Sequence, residues 1–118
     1  MCDPLPVSCD NAHHYAWGAG CDGWHLVRTN EMSVIQERMP PGTREVRHYH
    51  ARSRQFFFVL RGTLTVEVAG AAAHTLREHH GVEVPPGMTH EVRNDSEEPA
   101  EFLVISQPPS HGDRVLVE

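Results

Sequence analysis

Short runs of β-forming residues, cut at near-regular intervals by turn residues, restrict this chain more than any other feature. The breaks stand at Pro40-Pro41-Gly42, Arg61-Gly62, Ala69-Gly70 and Pro85-Pro86-Gly87. Proline fixes φ and removes an amide donor, and glycine supplies positive φ, so no long helix or uninterrupted strand can cross these places. The runs between and around them predict strands at Trp24–Arg28, Met32–Met39, Glu45–His50, Gln55–Leu60, Leu64–Val68, His74–Arg77, Gly81–Val84, His90–Asn94 and Glu101–Gln107, with Arg114–Val117 as a further edge. Leu64-Thr65-Val66-Glu67-Val68 alternates apolar and polar, the mark of a half-buried strand. Phe56 to Leu60 is continuously apolar and is predicted to be buried on both faces, either inside the sheet packing or by a second copy of the chain. The class is all-β, a sandwich or barrel. Residues 1–23 read as an irregular N-terminal arm, with at most a short turn at Asn11–Trp17, and residues 24–118 as one β-domain.

Composition removes several function classes. The 118 residues suit one domain with a real core, and 39% hydrophobic content suits a globular chain. The net charge is −6 and no basic run occurs, which argues against nucleic acid as a partner. All ten basic residues are arginine, so lysine Schiff-base chemistry is excluded. No stretch is long and apolar enough for a membrane span and no basic-then-apolar leader opens the chain, so the expected location is the cytoplasm. Cys2, Cys9 and Cys21 are then expected as free thiols; with His13 and His14 they match no zinc spacing.

Against this background one constellation stands out: His48-Tyr49-His50, then Gln55, then His90. On a strand, residues two apart share a face, so His48 and His50 point the same way. Gln55 is the polar start of an apolar strand, and a buried amide needs hydrogen bonds or a metal. Three imidazoles and one amide oxygen, if they converge, make a ligand set for one divalent ion: Fe, Mn, Zn or Ni. No serine sits in a nucleophile elbow and no glycine-rich phosphate loop occurs, so the three histidines read as ligands rather than as bases.

At these residues the chain resembles the cupin superfamily, in particular its small single-domain members of the conserved-barrel type. The first cupin motif is met by Gly42, five residues, His48-Tyr49-His50, four residues, Gln55, six residues, Gly62. The second is met by Pro85-Pro86-Gly87, two residues, His90, three residues, Asn94. Two positions depart: Gln55 stands where the motif has Glu, and His79 where the second motif opens with Gly. The resemblance implies a jelly-roll β-barrel, a metal held by His48, His50, Gln55 and His90, a small-molecule ligand, and a homodimer. Glutamine in place of glutamate leaves the ligand set neutral, which weakens binding but leaves the ion a stronger Lewis acid. Phosphomannose isomerases and the cupins that tautomerise unsaturated uronates are similar in using Gln there.

Strand parity proposes the rest of the pocket. Phe57 and Val59 share the face of Gln55, and Val92 and Asn94 that of His90, with Asn94 suited to tying a turn. On Glu45–His50, Val46 shares the ligand face and Glu45, Arg47 and Tyr49 point away. On Met32–Met39 either Val34, Gln36 and Arg38 face in, offering Arg38 to an anion, or Ile35, Glu37 and Met39 do, offering Glu37 as an acid/base. The default for Arg38 and Glu37 alike is an exposed strand position. Trp17, Trp24 and Phe102 suit core or interface. Three functions follow: oxidation of a small molecule with O2, Lewis-acid isomerisation or tautomerisation, or non-catalytic binding of a metal or small ligand. The isomerisation needs a proton carrier, for which Glu37, Tyr49 or a water is available.

Overall fold

The computed structural model describes residues 4–117. Eleven strands build two antiparallel sheets, and no helix occurs among the described residues. The first sheet has the order β1 (His13–Trp17), β2 (Cys21–Arg28), β3 (Ser33–Met39), β10 (Ala100–Gln107), β5 (Arg54–Arg61), β8 (Gly81–Val84). The second has the order β11 (Arg114–Leu116), β4 (His48–His50), β9 (His90–Arg93), β6 (Leu64–Val68), β7 (His74–Leu76). The two ladders stay separate, so the jelly roll is a pair of facing sheets rather than one closed barrel.

Register explains where the core ends and a cavity begins. Across the first sheet, Val59, Phe102 and Glu37 lie in one row, Phe57, Val104 and Ile35 in the next, and Gln55, Ser106 and Ser33 in the third. All alternate with outward residues, as period-two geometry requires. Phe57, Val59, Phe102, Val104 and Met39 meet Leu64, Val66, Val68 and Val92 of the second sheet in the buried core. Toward the Gln55–Ser106–Ser33 row the inner face turns polar, and there the sheets enclose space instead of packing.

The turns follow the punctuation. Gly62 has φ 79°, and a Cβ there would stand 2.3 Å from the Pro99 carbonyl oxygen, so only glycine fits the end of the first motif. His79 has φ 64°, the left-handed region, which explains why glycine is the usual residue at that motif position. Asn94 is fully buried; its Nδ2 donates to the carbonyls of Met39 and Glu98 and its Oδ1 accepts from Ser96 N–H, so it ties a turn as expected.

Two expectations are corrected here. The segment read as an irregular arm contains a strand: His13–Trp17 forms an edge strand paired with Cys21–His25. Gly18 and Gly20, with φ 53° and 82°, make that hairpin, which weak alternation in His13-His14-Tyr15-Ala16-Trp17 concealed. The Phe56–Leu60 run is not buried on both faces within one chain. Phe57 and Val59 face the core, while Phe56, 37% exposed, lies with Phe58 and Leu60 on the outer side of the first sheet. Cys9 and Cys21 are free thiols, and Cys2 lies outside the described residues. Among the described residues no helix is long and apolar enough to cross a membrane.

Candidate metal centre

His48 and His90 face one another as neighbours on β4 and β9, and His50 follows two residues along β4. The three are buried, with ring nitrogens all within 4.8 Å of one another. This is the one group of three or more histidine, cysteine or acidic side chains among the described residues that converges in this way. Ring orientation is fixed by the backbone. His48 Nδ1 lies 2.7 Å from the Val46 carbonyl and His90 Nδ1 3.0 Å from the Met88 carbonyl. An imidazole that donates from Nδ1 presents the lone pair of Nε2, the arrangement metal-binding histidines use. His90 Nε2 and His50 Nδ1 are buried without a hydrogen-bond partner in the chain.

Gln55 opens onto the same cavity from the facing sheet. Its Nε2 donates to Ser106 Oγ at 3.0 Å, leaving a buried Oε1 without a partner. Orphaned buried acceptors are rare because each carries a desolvation cost of about 1–3 kcal/mol. A cation fits this donor set, which offers lone pairs and little else. Ser106, the cross-strand partner of Gln55, is the orienting residue that sequence reasoning missed.

Burial holds all three imidazoles below the ordinary histidine range. His48 is lowered to about 4, first by burial and then by the neighbouring His90, His50 and Arg114. His50 and His90 are lowered chiefly by burial as well. Neutral rings are the form that ligates, and burial favours that form in all three.

The cavity in front of these residues holds about 290 Å³. Glu37, Tyr15 and Glu45 also line it, and its apolar lining is Ile35, Phe57 and Val104. Of the two choices on β3, the face with Ile35, Glu37 and Met39 is the inner one. Arg38 points outward, toward Asp22. Glu37 is therefore not an exposed strand residue. Tyr15 O–H donates to Glu37 Oε2 at 3.0 Å. Gly23 makes that bond possible: it lies between Tyr15 and Glu37 in the β1–β2–β3 row, and a Cβ there would stand 2.2 Å from the Tyr15 ring. Tyr15 was invisible to the sequence reading because its strand was not recognised. Tyr49, a sequence candidate for proton transfer, does not line the cavity.

Glu45 also lines the cavity, and Val46 is 53% exposed, the reverse of the parity expected. The cause is a bulge. Arg44 pairs with Arg93 and His48 with His90, so four steps along one strand oppose three along the other. The extra residue reverses the faces between them. Val46 and Arg47 both turn outward, Arg47 to Glu67, and Glu45 turns in, its Oε1 3.8 Å from His48 Nδ1. His111 and Gly112 of the loop before β11, and Arg114 at the start of β11, also line the cavity. Asp113 anchors that loop by accepting backbone N–H groups of Ala51, Arg52 and Ser53, which hold its carboxyl below the usual range.

Burial pushes the Glu37 carboxyl up to about 7, against the opposing hydrogen bond from Tyr15. Burial pushes Glu45 up to about 8, with repulsion from Glu37 adding to it and Arg114 opposing it. A carboxyl that binds its proton more tightly folded than unfolded favours folding at acid pH. That contribution fades as pH rises from the unfolded value of about 4.3 through the folded value of about 7. The isosteric Glu37→Gln variant cannot ionise. Its melting temperature relative to wild type should therefore rise between pH 5 and pH 8, as followed by circular dichroism; a difference that is flat or falls with pH would contradict the buried, near-neutral carboxyl.

Residues 35–106, more than half of the chain, match the family model described as Cupin domain. The chain is 36% identical over 70 residues to polyketide synthase CurC of Streptomyces cyaneus, a stretch covering 59% of this chain and 45% of that protein. The match thus spans less than half the length of that relative. Among solved structures, the polyketide cyclase RemF from Streptomyces resistomycificus superposes with a TM-score of 0.85 at 12% identity, over 98% of this chain and 87% of that one. KdgF from Halomonas sp. superposes with a TM-score of 0.78 at 18% identity, over 86% of this chain and 93% of that one. At such identities the superpositions speak for the fold, two facing antiparallel sheets. With both motifs in place, the three histidines convergent and the domain model matched across the sheets that carry them, the chain belongs to the cupin family.

Proposed function

We propose that the chain is a metal-dependent enzyme that moves protons on a small carbonyl compound, an isomerase, tautomerase or cyclase in reaction type. One observation carries the reading. A single cavity is lined both by His48, His50 and Gln55 of a cation-ready donor set and by a protonatable carboxyl–phenol pair, Glu37 and Tyr15. The proposed ligands are His48, His50, His90 and the Oε1 of Gln55. A divalent ion held there supplies a Lewis acid for a carbonyl oxygen.

The chain's own groups do the rest. Glu37, with its carboxyl at about 7, is matched to taking a proton from carbon near neutral pH and returning it elsewhere on the substrate. Tyr15 holds that carboxyl in place through its O–H, and its own proton is kept on by burial and by Glu37. Ile35, Phe57 and Val104 cover the apolar part of the substrate and exclude water. This pair favours catalysis over mere binding, and proton transfer over oxygenation, because it supplies the proton carrier such a reaction needs. The names of two similar proteins, a polyketide synthase and a polyketide cyclase, support a substrate rich in carbonyls. The C–H bonds beside carbonyls are the ones such a base breaks.

Exchange of the α-protons of 2-pentanone in D2O, followed by NMR with Zn²⁺-loaded protein, tests the reading. Wild type should accelerate exchange. Glu37→Gln should keep the metal yet slow exchange on the order of a hundredfold. His90→Ala should lose both metal and acceleration. Equal rates in wild type and Glu37→Gln would sink the proposal.

Gln55 matters through its neutrality. Gln55→Glu adds a negative charge beside the ion, so apo-protein should bind Mn²⁺ at least about tenfold more tightly. If Gln55→Glu and Gln55→Ala both bind as wild type does, Gln55 is not a ligand. The outward Phe56, Phe58 and Leu60 lead us to propose that a second copy covers this face in a homodimer. Light scattering should give twice the 13.3 kDa of one chain; a value of one chain at micromolar concentration would reject the dimer.

A further inference from the structure

A second cavity of about 340 Å³ adjoins the first, and Tyr15, Ile35, Ser110 and His111 line both. Beyond this shared wall the second cavity adds Arg28, His25 and Ser33. The inner cavity carries Glu37 and Glu45 together with Arg114, whereas no acidic side chain lines the outer one, and Arg28 is its one permanent charge. Among the described residues Arg28 makes no ion pair and no side-chain hydrogen bond, although the chain as a whole carries −6. His25 Nδ1 is buried there without a partner.

Register puts the two cavities on one track. Arg28 pairs with Ser33, Ser33 with Ser106, and Ser106 with Gln55. Arg28 is thus three strand spacings from Gln55 along a single row, roughly 14 Å between backbones. The bulge between His25 and Val27 sets this register, since it lets His25 pair with Ile35 while Arg28 pairs with Ser33. With the long arginine side chain spanning part of that distance, a ligand of about six to eight non-hydrogen atoms reaches from one end to the other.

We propose that the outer cavity is a carboxylate subsite, in which Arg28 pairs with the carboxylate of an elongated oxo acid whose carbonyl lies at the inner site. The guanidinium fork matches a carboxylate with two parallel N–H bonds, and the unpaired His25 nitrogen and the Ser33 hydroxyl are available beside it. Burial, Arg28 and His13 hold the His25 ring neutral, so it adds a hydrogen bond rather than a second charge. The substrate class narrows to free oxo acids, as distinct from neutral ketones or esters. This rests on the preceding reading for the position of the carbonyl, but the acid preference itself needs no metal.

The test uses 5-oxohexanoate and 7-oxooctanoate, each against its methyl ester, titrated into the full chain by isothermal calorimetry and ¹H–¹⁵N NMR. At least one acid should bind about tenfold or more tightly than its ester and should shift the His25 ring signals. Arg28→Gln, a change at an exposed position, should erase that preference without altering ester binding. Arg77→Gln, at an exposed turn remote from the row, should leave it intact. The proposal is overturned if neither acid outbinds its ester, if Arg28→Gln keeps the preference, or if Arg77→Gln erases it equally. The same titration on His90→Ala separates the two readings: a retained acid preference supports the subsite whether or not the metal reading survives, and its loss there overturns the subsite as an independent element.

Discussion

Two backbone carbonyls set the chemistry of this molecule. Val46 and Met88 each take the Nδ1 proton of a histidine two residues ahead, and so leave the opposite nitrogen of His48 and His90 free to ligate where the three imidazoles converge. Both carbonyls sit where regular pairing fails. Val46 lies in the bulge that makes four steps oppose three, and Met88 follows the Pro85-Pro86-Gly87 turn, where Gly87 has φ 79°. Irregular backbone is thus what frees a carbonyl from the ladder to fix a side chain.

The cavity exists because one sheet face changes character along its length. The inner rows pass from Glu37, Phe102 and Val59 through Ile35, Val104 and Phe57 to Ser33, Ser106 and Gln55. Val59, Phe102 and their apolar neighbours pack the sheets together, and Glu37, Gln55 and Ser106 line the space. Burial lowers His48, His50 and His90 and raises Glu37 and Glu45. A neutral ligand set and a carboxyl that titrates near neutrality are two consequences of the same burial.

Much of this was legible in the sequence, for identifiable reasons. The turns were readable because proline and glycine act locally, and the strands because alternation survives wherever one face meets water. His48, His50, Gln55 and His90 could be grouped because their spacing matches two cupin motifs; the fold brings the three histidines together and places Gln55 on the cavity that His48 and His50 line. What escaped depends on backbone irregularity or on long-range pairing. A bulge reverses parity without any mark in the residues, so Glu45 and Val46 were assigned to the wrong faces. Tyr15 reaches Glu37 across Gly23, a contact that exists only once β1 pairs with β2 and β2 with β3. The two faces of β3 were equally plausible from pattern alone, since both mix apolar and polar residues, and only the cavity distinguishes Glu37 from Arg38. The Phe56–Leu60 run was read as buried on both faces because continuous hydrophobicity cannot say whether the second cover comes from the same chain.

The central claim is that three imidazoles and one amide oxygen hold a single ion. The most direct measurement is anomalous X-ray diffraction at the zinc edge from crystals of the Zn²⁺-loaded protein. The account predicts one dominant peak, about 2.0–2.1 Å from a ring nitrogen of each of His48, His50 and His90, with Gln55 Oε1 also in contact. A peak elsewhere, no peak at all, or an ion bound by the histidines with Gln55 turned away would contradict it.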